Sequence, residues 1–203
     1  MWNPDIVLNH IEKLGVNKKM SLIELSKKIT ILMLLLSGQR GQTIQALNLK
    51  NMKVEKDQIS FYNEKLMKTS RPGRHKTTVT FRAYPHNKKL CIVTALKVYV
   101  RRTDEIRGSS TQLLVTTTKP TRPATIDTVR RWVKNLMQEA GIDVEIFKSH
   151  STRGASMSKA VNYVDTRIIL KTAGWRKEST FGRFYKKPIL EEDLMTNAIL
   201  SRN

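Results

Sequence analysis

A run of apolar side chains near the start of the chain limits the folds open to it. Ile29, Ile31, Leu32, Leu34, Leu35 and Leu36 crowd into residues 29–36. Ser21, with Glu24 three residues on, makes a capping box in front of them and predicts a helix over 21–37. Such a helix is apolar on most sides, and a helix of that kind is buried. The run falls far short of the ~20 apolar residues that span a bilayer. The helix stops at Ser37-Gly38-Gln39-Arg40-Gly41-Gln42, and another is predicted over 43–49. A lone loop arginine is ordinarily solvated. Here two glycines bracket Arg40, which argues for a tight backbone that aims its side chain.

Around this core the chain reads as mostly α with a small antiparallel β-sheet, an α+β fold. An earlier helix is predicted from Pro4 to Leu14, with Asn3 as its cap, Pro4 at its first position and Ile6, Leu8, Ile11 and Leu14 as its apolar face. Residues 58–62 and 77–81 read as strands, joined through a Pro72-Gly73 turn. Residues 91–102 form an amphipathic helix, 104–110 a loop and 112–115 an extended piece. A helix over 125–140 buries Ile126, Val129, Trp132, Val133 and Leu136 and exposes Arg130, Arg131 and Lys134; Gly141 ends it. Further helices are expected over 149–162 and 165–173, the second stopped by Gly174, then a short helix or turn over 179–184 and an acidic-starting helix over 190–200. Hydrophobic residues make up 39% of the 203, enough for one sizeable domain or two small ones, and neither repeat nor linker divides the chain.

A formal charge of +20 points to a polyanionic partner, most often nucleic acid. Between Lys65 and Lys89 lie eight Lys or Arg and no Asp or Glu. A charge run is usually a solvated surface. In a β-hairpin it also suits contact with DNA phosphates, which favours Arg71, Arg74 and Lys76 as DNA-binding residues alongside Arg130, Arg131, Lys134, Arg176 and Lys177. The opening Met1-Trp2-Asn3-Pro4-Asp5 is unlike a signal peptide, and no membrane partner is expected. The single cysteine, Cys91 in Leu90-Cys91-Ile92-Val93, excludes an intrachain disulfide and a cysteine-rich zinc site, and reads as a buried thiol. His10, His75, His86 and His150 have no metal-ligand spacing, and no glycine-rich phosphate loop is present; no metal, ATP or other cofactor is expected.

Chemistry concentrates between Phe147 and Pro188. His150-Ser151-Thr152-Arg153 puts an imidazole and a guanidinium three apart, on one face of a helix. Gly174-Trp175 follows, then Tyr185 within a basic, aromatic stretch from Arg176 to Lys187. A phenol beside two cations and an imidazole suits attack on a phosphodiester. Each piece alone is weak. Their order, Arg40, a hairpin lysine, His150-x-x-Arg153, Gly174-Trp175 and Tyr185, resembles the tyrosine recombinases of the phage-integrase family. The phrases Gly38-Gln39-Arg40-Gly41-Gln42-Thr43, Lys68-Thr69-Ser70-Arg71-Pro72-Gly73 and Ala173-Gly174-Trp175 look most like the Crypton and DIRS-type transposon recombinases of eukaryotes.

The resemblance spans residues 1–203 as a catalytic domain without the larger N-terminal core-binding domain of the family. It implies that Tyr185 attacks DNA phosphorus, leaving a 3′-phosphotyrosyl enzyme and a free 5′-hydroxyl without metal or ATP. Arg40 and Arg153 would clamp the non-bridging oxygens. Lys68 would be the general acid at the 5′-oxygen, with Lys65 and Lys76 as rivals. His150 would assist proton movement at the tyrosine, and Trp175, where a histidine is commoner, would hydrogen-bond a phosphate oxygen. Thr43 stands where many members carry an acid. The implied partners are double-stranded DNA and further copies of the chain, a synaptic tetramer on DNA and a monomer without it, acting for a mobile element in the nucleus. The rival readings are a type IB topoisomerase, an inactive DNA-binding module, and an RNA-binding domain.

Overall fold

A computed structural model of the chain describes residues 1–62 and 78–174. Its helices are α1 (Pro4–Lys13), α2 (Leu22–Ser37), α3 (Gly41–Gln45), α4 (Ile92–Thr103), α5 (Ile126–Glu139), α6 (Ser151–Ala160) and α7 (Thr166–Ala173), and its strands β1 (Met52–Val54), β2 (Gln58–Tyr62) and β3 (Thr78–Arg82). The mostly helical fold with a small antiparallel sheet is the one expected.

The apolar helix is the hub. α2 packs against α3, α4, α5, α6 and β3. Leu25, Ile29, Ile31, Leu32 and Met33 are fully buried, each contributing about 1.5–3 kcal/mol. Leu36, expected in the apolar set, is half exposed. The capping box forms at Ser21 and Glu24, and hydrogen bonds from Ser21 hold the Glu24 carboxyl below its usual range. A helix packed on this many sides must also satisfy its polar side chains internally. Ser26 Oγ donates to the Leu22 carbonyl at 2.7 Å, Thr30 Oγ1 to Ser26 at 2.7 Å and Ser37 Oγ to Met33 at 2.6 Å, each four residues back.

The sheet covers one side of this helix. Its order is β1-β2-β3, antiparallel throughout, with Ile59 opposite Phe81 and Phe61 opposite Val79. These four side chains are buried, and the Phe61 and Phe81 rings meet edge to face at 6.3 Å. On the other face Ser60 Oγ and Thr80 Oγ1 share a hydrogen bond of 2.9 Å. β1 was not foreseen: Met52-Lys53-Val54 is too short for its alternation to register against the turn beside it. Residues 63–77, which join β2 to β3 and include Lys65, Lys68, Arg71, Arg74 and Lys76, lie outside the described residues.

The remaining helices follow the predicted pattern with small corrections. The segment expected as one helix over 43–49 is the short α3 followed by a 3-10 turn, Leu49–Asn51, whose start is capped by Asn48 Oδ1 accepting from Lys50 N. α1 turns Val7 and Ile11 inward with Pro4, while Ile6, an expected core position, is 42% exposed. α1 lies against α6: the Trp2 indole N–H donates to Ser151 Oγ at 2.9 Å, and Asp5 pairs with Lys159. α5 buries Val129, Trp132, Val133 and Leu136 as expected, adds Met137, and leaves Ile126 half-buried at its start. Cys91 is buried at the cap of α4, its sulfur accepting from Thr94 Oγ1 at 3.2 Å and Tyr84 N at 3.4 Å. Gly141 and Gly174 end their helices with positive φ, as their positions in the sequence suggested.

Lys28 breaks the apolar pattern from inside α2. Its side chain is fully buried, and its Nζ lies 4.0 Å from Met20 Sδ. Burial, with the nearby Lys89 charge, lowers its pKa to about 8. Between that value and the ordinary one near 10.5 the unfolded chain holds more protons than the folded one, so stability rises with pH across that window. Below pH 8 the charged lysine costs about 3 kcal/mol. Lys28→Met is therefore expected to raise the melting temperature by roughly 6–12 °C at pH 7, with the gap to the parent protein closing between pH 8 and 10 in thermal melts. A gap independent of pH would mean that better apolar packing of the methionine, not the removed charge, sets the effect.

Gly38 is closely packed. It ends α2 in the left-handed region at φ 58, its N–H donating to the Leu34 carbonyl at 3.0 Å. A Cβ there would collide with Met157 Cε of α6 and stand 3.2 Å from Ala173 Cβ of α7. Gly38→Ala should cost about 2–4 kcal/mol in urea melts at unchanged m-value. A double-mutant cycle with Met157→Ala should return a favourable coupling of about 1 kcal/mol. Strict additivity would place the whole cost in the backbone.

Candidate active site

The turn after α2 sends Arg40 toward the start of α6. Ser37 Oγ accepts from Gln39 N at 3.2 Å, and Arg40, with extended backbone, caps α3, its carbonyl accepting from Thr43 N at 2.9 Å. α6 begins one turn beyond a tight bend in which Ser151 N donates to Lys148 O at 2.8 Å and Thr152 Oγ1 to Ser149 O at 2.8 Å. His150 was expected within that helix. It stands instead at the cap, with φ -73 and ψ -16. Those angles are already helical, so the three-residue step to Arg153 still keeps both on one side.

The outcome is a cleft of about 310 Å³ whose walls include Gln39, Arg40, Gln42, Arg130, His150 and Arg153. Apolar side chains of Leu34, Val129 and Val133 floor it. Arg40 and His150 are exposed and Arg153 is 9% exposed. The Arg153 Nη2 donates to the Ala173 carbonyl at 3.0 Å, which ties it to the C-terminal end of α7, the negative end of a helix dipole. Among the described residues no carboxylate pairs with Arg40. Thr43, in the position where an acid was the alternative, is buried and neutral. A pocket that gathers cationic donors over an apolar floor suits a small anion with several oxygens, such as a phosphodiester.

Of the three basic residues expected on α5, only Arg130 lines this cleft. It pairs with Asp127 at 2.8 Å, both ends being well exposed, and such a pair is worth about 0–1 kcal/mol and gives way easily to a phosphate. Arg131 is exposed but is not part of the cleft wall. Lys134 also lies off the wall and shares Glu145 with Lys148, at 3.3 and 3.2 Å. Those hydrogen bonds, that of Lys148 first, hold the Glu145 carboxyl below its usual range. Trp175, Arg176, Lys177, Tyr185 and the helix expected over 190–200 lie outside the described residues, as does the hairpin lysine. The structure thus brings together Arg40, His150, Arg153 and Arg130.

Two wall residues escaped the sequence reading. Gln39, 7% exposed, donates through Nε2 to the Thr172 carbonyl at 2.9 Å. Gln42 stands beside Arg40. Both are in the quoted phrase around Arg40, but an amide has no signature that distinguishes a cleft wall from a solvated loop. Among the described residues no three His, Cys, Asp or Glu side chains are grouped to hold a metal ion, and no helix is long and apolar enough to cross a membrane.

Comparison with known proteins agrees with this fold. The fold is similar to that of XerH site-specific recombinase bound to difH substrate in a pre-cleavage complex, with TM-score 0.66 and 15% identity over 97% of this chain and 50% of that one. It is similar to XerA recombinase, with TM-score 0.59 and 18% identity over 90% of this chain and 61% of that one. The FLP recombinase in its Holliday junction complex matches with TM-score 0.57 and 15% identity, over 96% of this chain and 49% of that one. The chain thus spans about half to three-fifths of the length of these structures. No curated protein matches the sequence. The model of the phage integrase family matches residues 7–189, which takes in the cleft and both ends of the expected constellation, and the chain belongs to that family.

Proposed function

We propose that the chain is the catalytic domain of a DNA strand-cleaving and rejoining enzyme. The observation that carries this reading is the convergence of Arg40, His150 and Arg153, from distant parts of the chain, on one cleft. The Tyr185 oxygen would attack phosphorus and form a P–O bond as the bond to the 5′-oxygen breaks. The tyrosine proton would leave with help from His150, and a lysine, Lys68 among its rivals Lys65 and Lys76, would deliver a proton to the departing 5′-oxygen. Arg40 and Arg153 would hold the non-bridging oxygens and stabilise the charge of the five-coordinate transition state, with Trp175 donating to one of them. The second step reverses the first with a different 5′-hydroxyl, and the phosphotyrosyl bond conserves the energy of the broken one. The phosphodiester already carries one negative charge, and Arg40 and Arg153 serve catalysis to the extent that they hold the more highly charged five-coordinate transition state more strongly than that ground state.

The substrate class follows from the net charge of +20 and the family: double-stranded DNA. Strand exchange needs two cleaved duplexes, so we propose a tetramer on DNA; lambda integrase, with a similar fold, is known as a tetramer bound to a Holliday junction. We further propose that the enzyme serves a mobile element of the Crypton or DIRS type and acts in the nucleus. These readings rest on the sequence phrases around Arg40, Lys68 and Gly174.

Covalent trapping tests the chemistry. With a nicked suicide duplex and EDTA, a DNA-linked protein band is expected on a denaturing gel and is lost in Tyr185→Phe. Arg40→Ala and Arg153→Ala should each slow its formation by about 10²–10³-fold. Binding of the element's own terminal sequence without any band would leave a DNA-binding module. Relaxation of supercoiled DNA without exchange of ends would favour a topoisomerase.

Salt dependence tests the placement of basic residues. The slope of log Kobs against log salt should lose about 1 in Arg130→Ala. Lys134→Ala, with its charge already shared with Glu145 off the cleft, should leave the slope nearly unchanged. Equal losses for both would mean that DNA follows the length of α5 rather than the cleft.

A further inference from the structure

The cleft is tied to the end of α7 by Arg153 and also by a residue outside the expected catalytic set. The last carbonyls of a helix have no partner within it. At the end of α7 two of them are taken by side chains from elsewhere: Thr172 O by Gln39 Nε2 at 2.9 Å and Ala173 O by Arg153 Nη2 at 3.0 Å. Gln39 immediately precedes Arg40, is 7% exposed and lines the same cleft. Gly174, where the chain leaves α7 with φ 69, lies so close to Gln39 that a Cβ there would stand 3.7 Å from its Nε2. Trp175 and Tyr185 follow in the sequence.

We propose that Gln39 is a positioning residue, whose amide locks the end of α7 to the Arg40 turn and so holds the exit of the chain at Gly174 in register with the arginine cleft. The chemistry of the contact supports this. A primary amide donates N–H to a carbonyl without adding charge to a cleft that already holds Arg40 and Arg153. A carboxylate at the same place would face the Thr172 carbonyl with no proton to give and would neutralise the arginines needed for phosphate. The bond is part-buried: Gln39, the donor, is 7% exposed, and Thr172, the acceptor, is an exposed residue of α7. It also spans 133 positions of sequence, and therefore joins two elements that no local interaction holds together. The catalytic part of this proposal rests on the reading of the cleft as a DNA-cleaving site; the structural tie does not.

The variants are Gln39→Met, which keeps the shape and removes the donor, and Gln39→Glu, which keeps the length and replaces the donor with an acceptor. Amide hydrogen exchange of the whole chain reads the tie directly. Exchange in peptides covering residues 166–174 should accelerate about 3- to 10-fold in Gln39→Met and more in Gln39→Glu, with the first turns of α2 unaffected. Trapping on a pool of nicked random duplexes, each with a 5′-bridging phosphorothiolate, should slow about 10-fold or more in Gln39→Met while DNA affinity stays within about twofold. It should slow further in Gln39→Glu. A side chain that merely fills space predicts equal behaviour of both variants and the parent. Unchanged exchange in Gln39→Glu overturns the tie whatever the activity. Faster exchange with unchanged trapping overturns the positioning role. If the parent chain itself forms no adduct, the reading of the cleft fails, and hydrogen exchange still decides the tie.

Discussion

Burial of α2 is the constraint on which the rest of the molecule depends. A helix that is apolar on most sides cannot be satisfied by one neighbour, so α3, α4, α5, α6 and β3 all pack on it. The site grows out of that packing. The helix ends at Gly38, where Met157 of α6 and Ala173 of α7 pack closely on the backbone, and the next two residues, Gln39 and Arg40, line the cleft with α5 and the start of α6. The arginine is therefore aimed by the core itself. Ser156 of α6 strengthens the same junction by donating to the Leu35 carbonyl. The polar positions of α2 are matched to this burial through hydroxyls that bond back along the helix, and Lys28 is the exception that the core tolerates at a cost.

Electrostatics pull against this packing. Arg40, Arg130 and Arg153 share one cleft in a chain of net charge +20. Like charges brought together raise the energy of the free protein, and an anion relieves it. Arg153 meets part of this with the carbonyl end of α7, and Arg130 with Asp127 on its own helix. Arg40 stands beside buried Thr43, which supplies no countercharge. A cleft of this kind stabilises a phosphate more as its charge increases, which is the property required of a phosphoryl-transfer site.

Much of the scaffold was legible in sequence because local signals carried it. The capping box at Ser21, the glycines after α5 and α7, and the apolar spacing of α5 each depend on neighbours within a few residues. Where the reading missed, local signals were ambiguous. α1 has apolar side chains on adjacent faces, and only contact with α5 and α6 selects Val7 and Ile11 over Ile6. Residues 43–49 are helix-compatible, yet Asn48 bridges to Gln112 and pulls the chain out of the helix. His150 was assigned to the helix interior because the i, i+3 pattern does not reveal where the first turn begins.

The sequence by itself determined which side chains were available for the chemistry and in what order. Arg40, His150 and Arg153 could be named because their types and spacing match a recombinase constellation. What it could not determine is their convergence, since positions 40 and 150 meet only after α2, α5 and α6 have packed. The same limit separates Arg130 from Arg131 and Lys134. All three are exposed basic residues of one helix, and only the direction in which α5 lies against α2 puts the first of them on the cleft wall. Gln39 shows the limit most plainly: its partner is a backbone carbonyl, which every residue carries, so its role depends on tertiary structure alone.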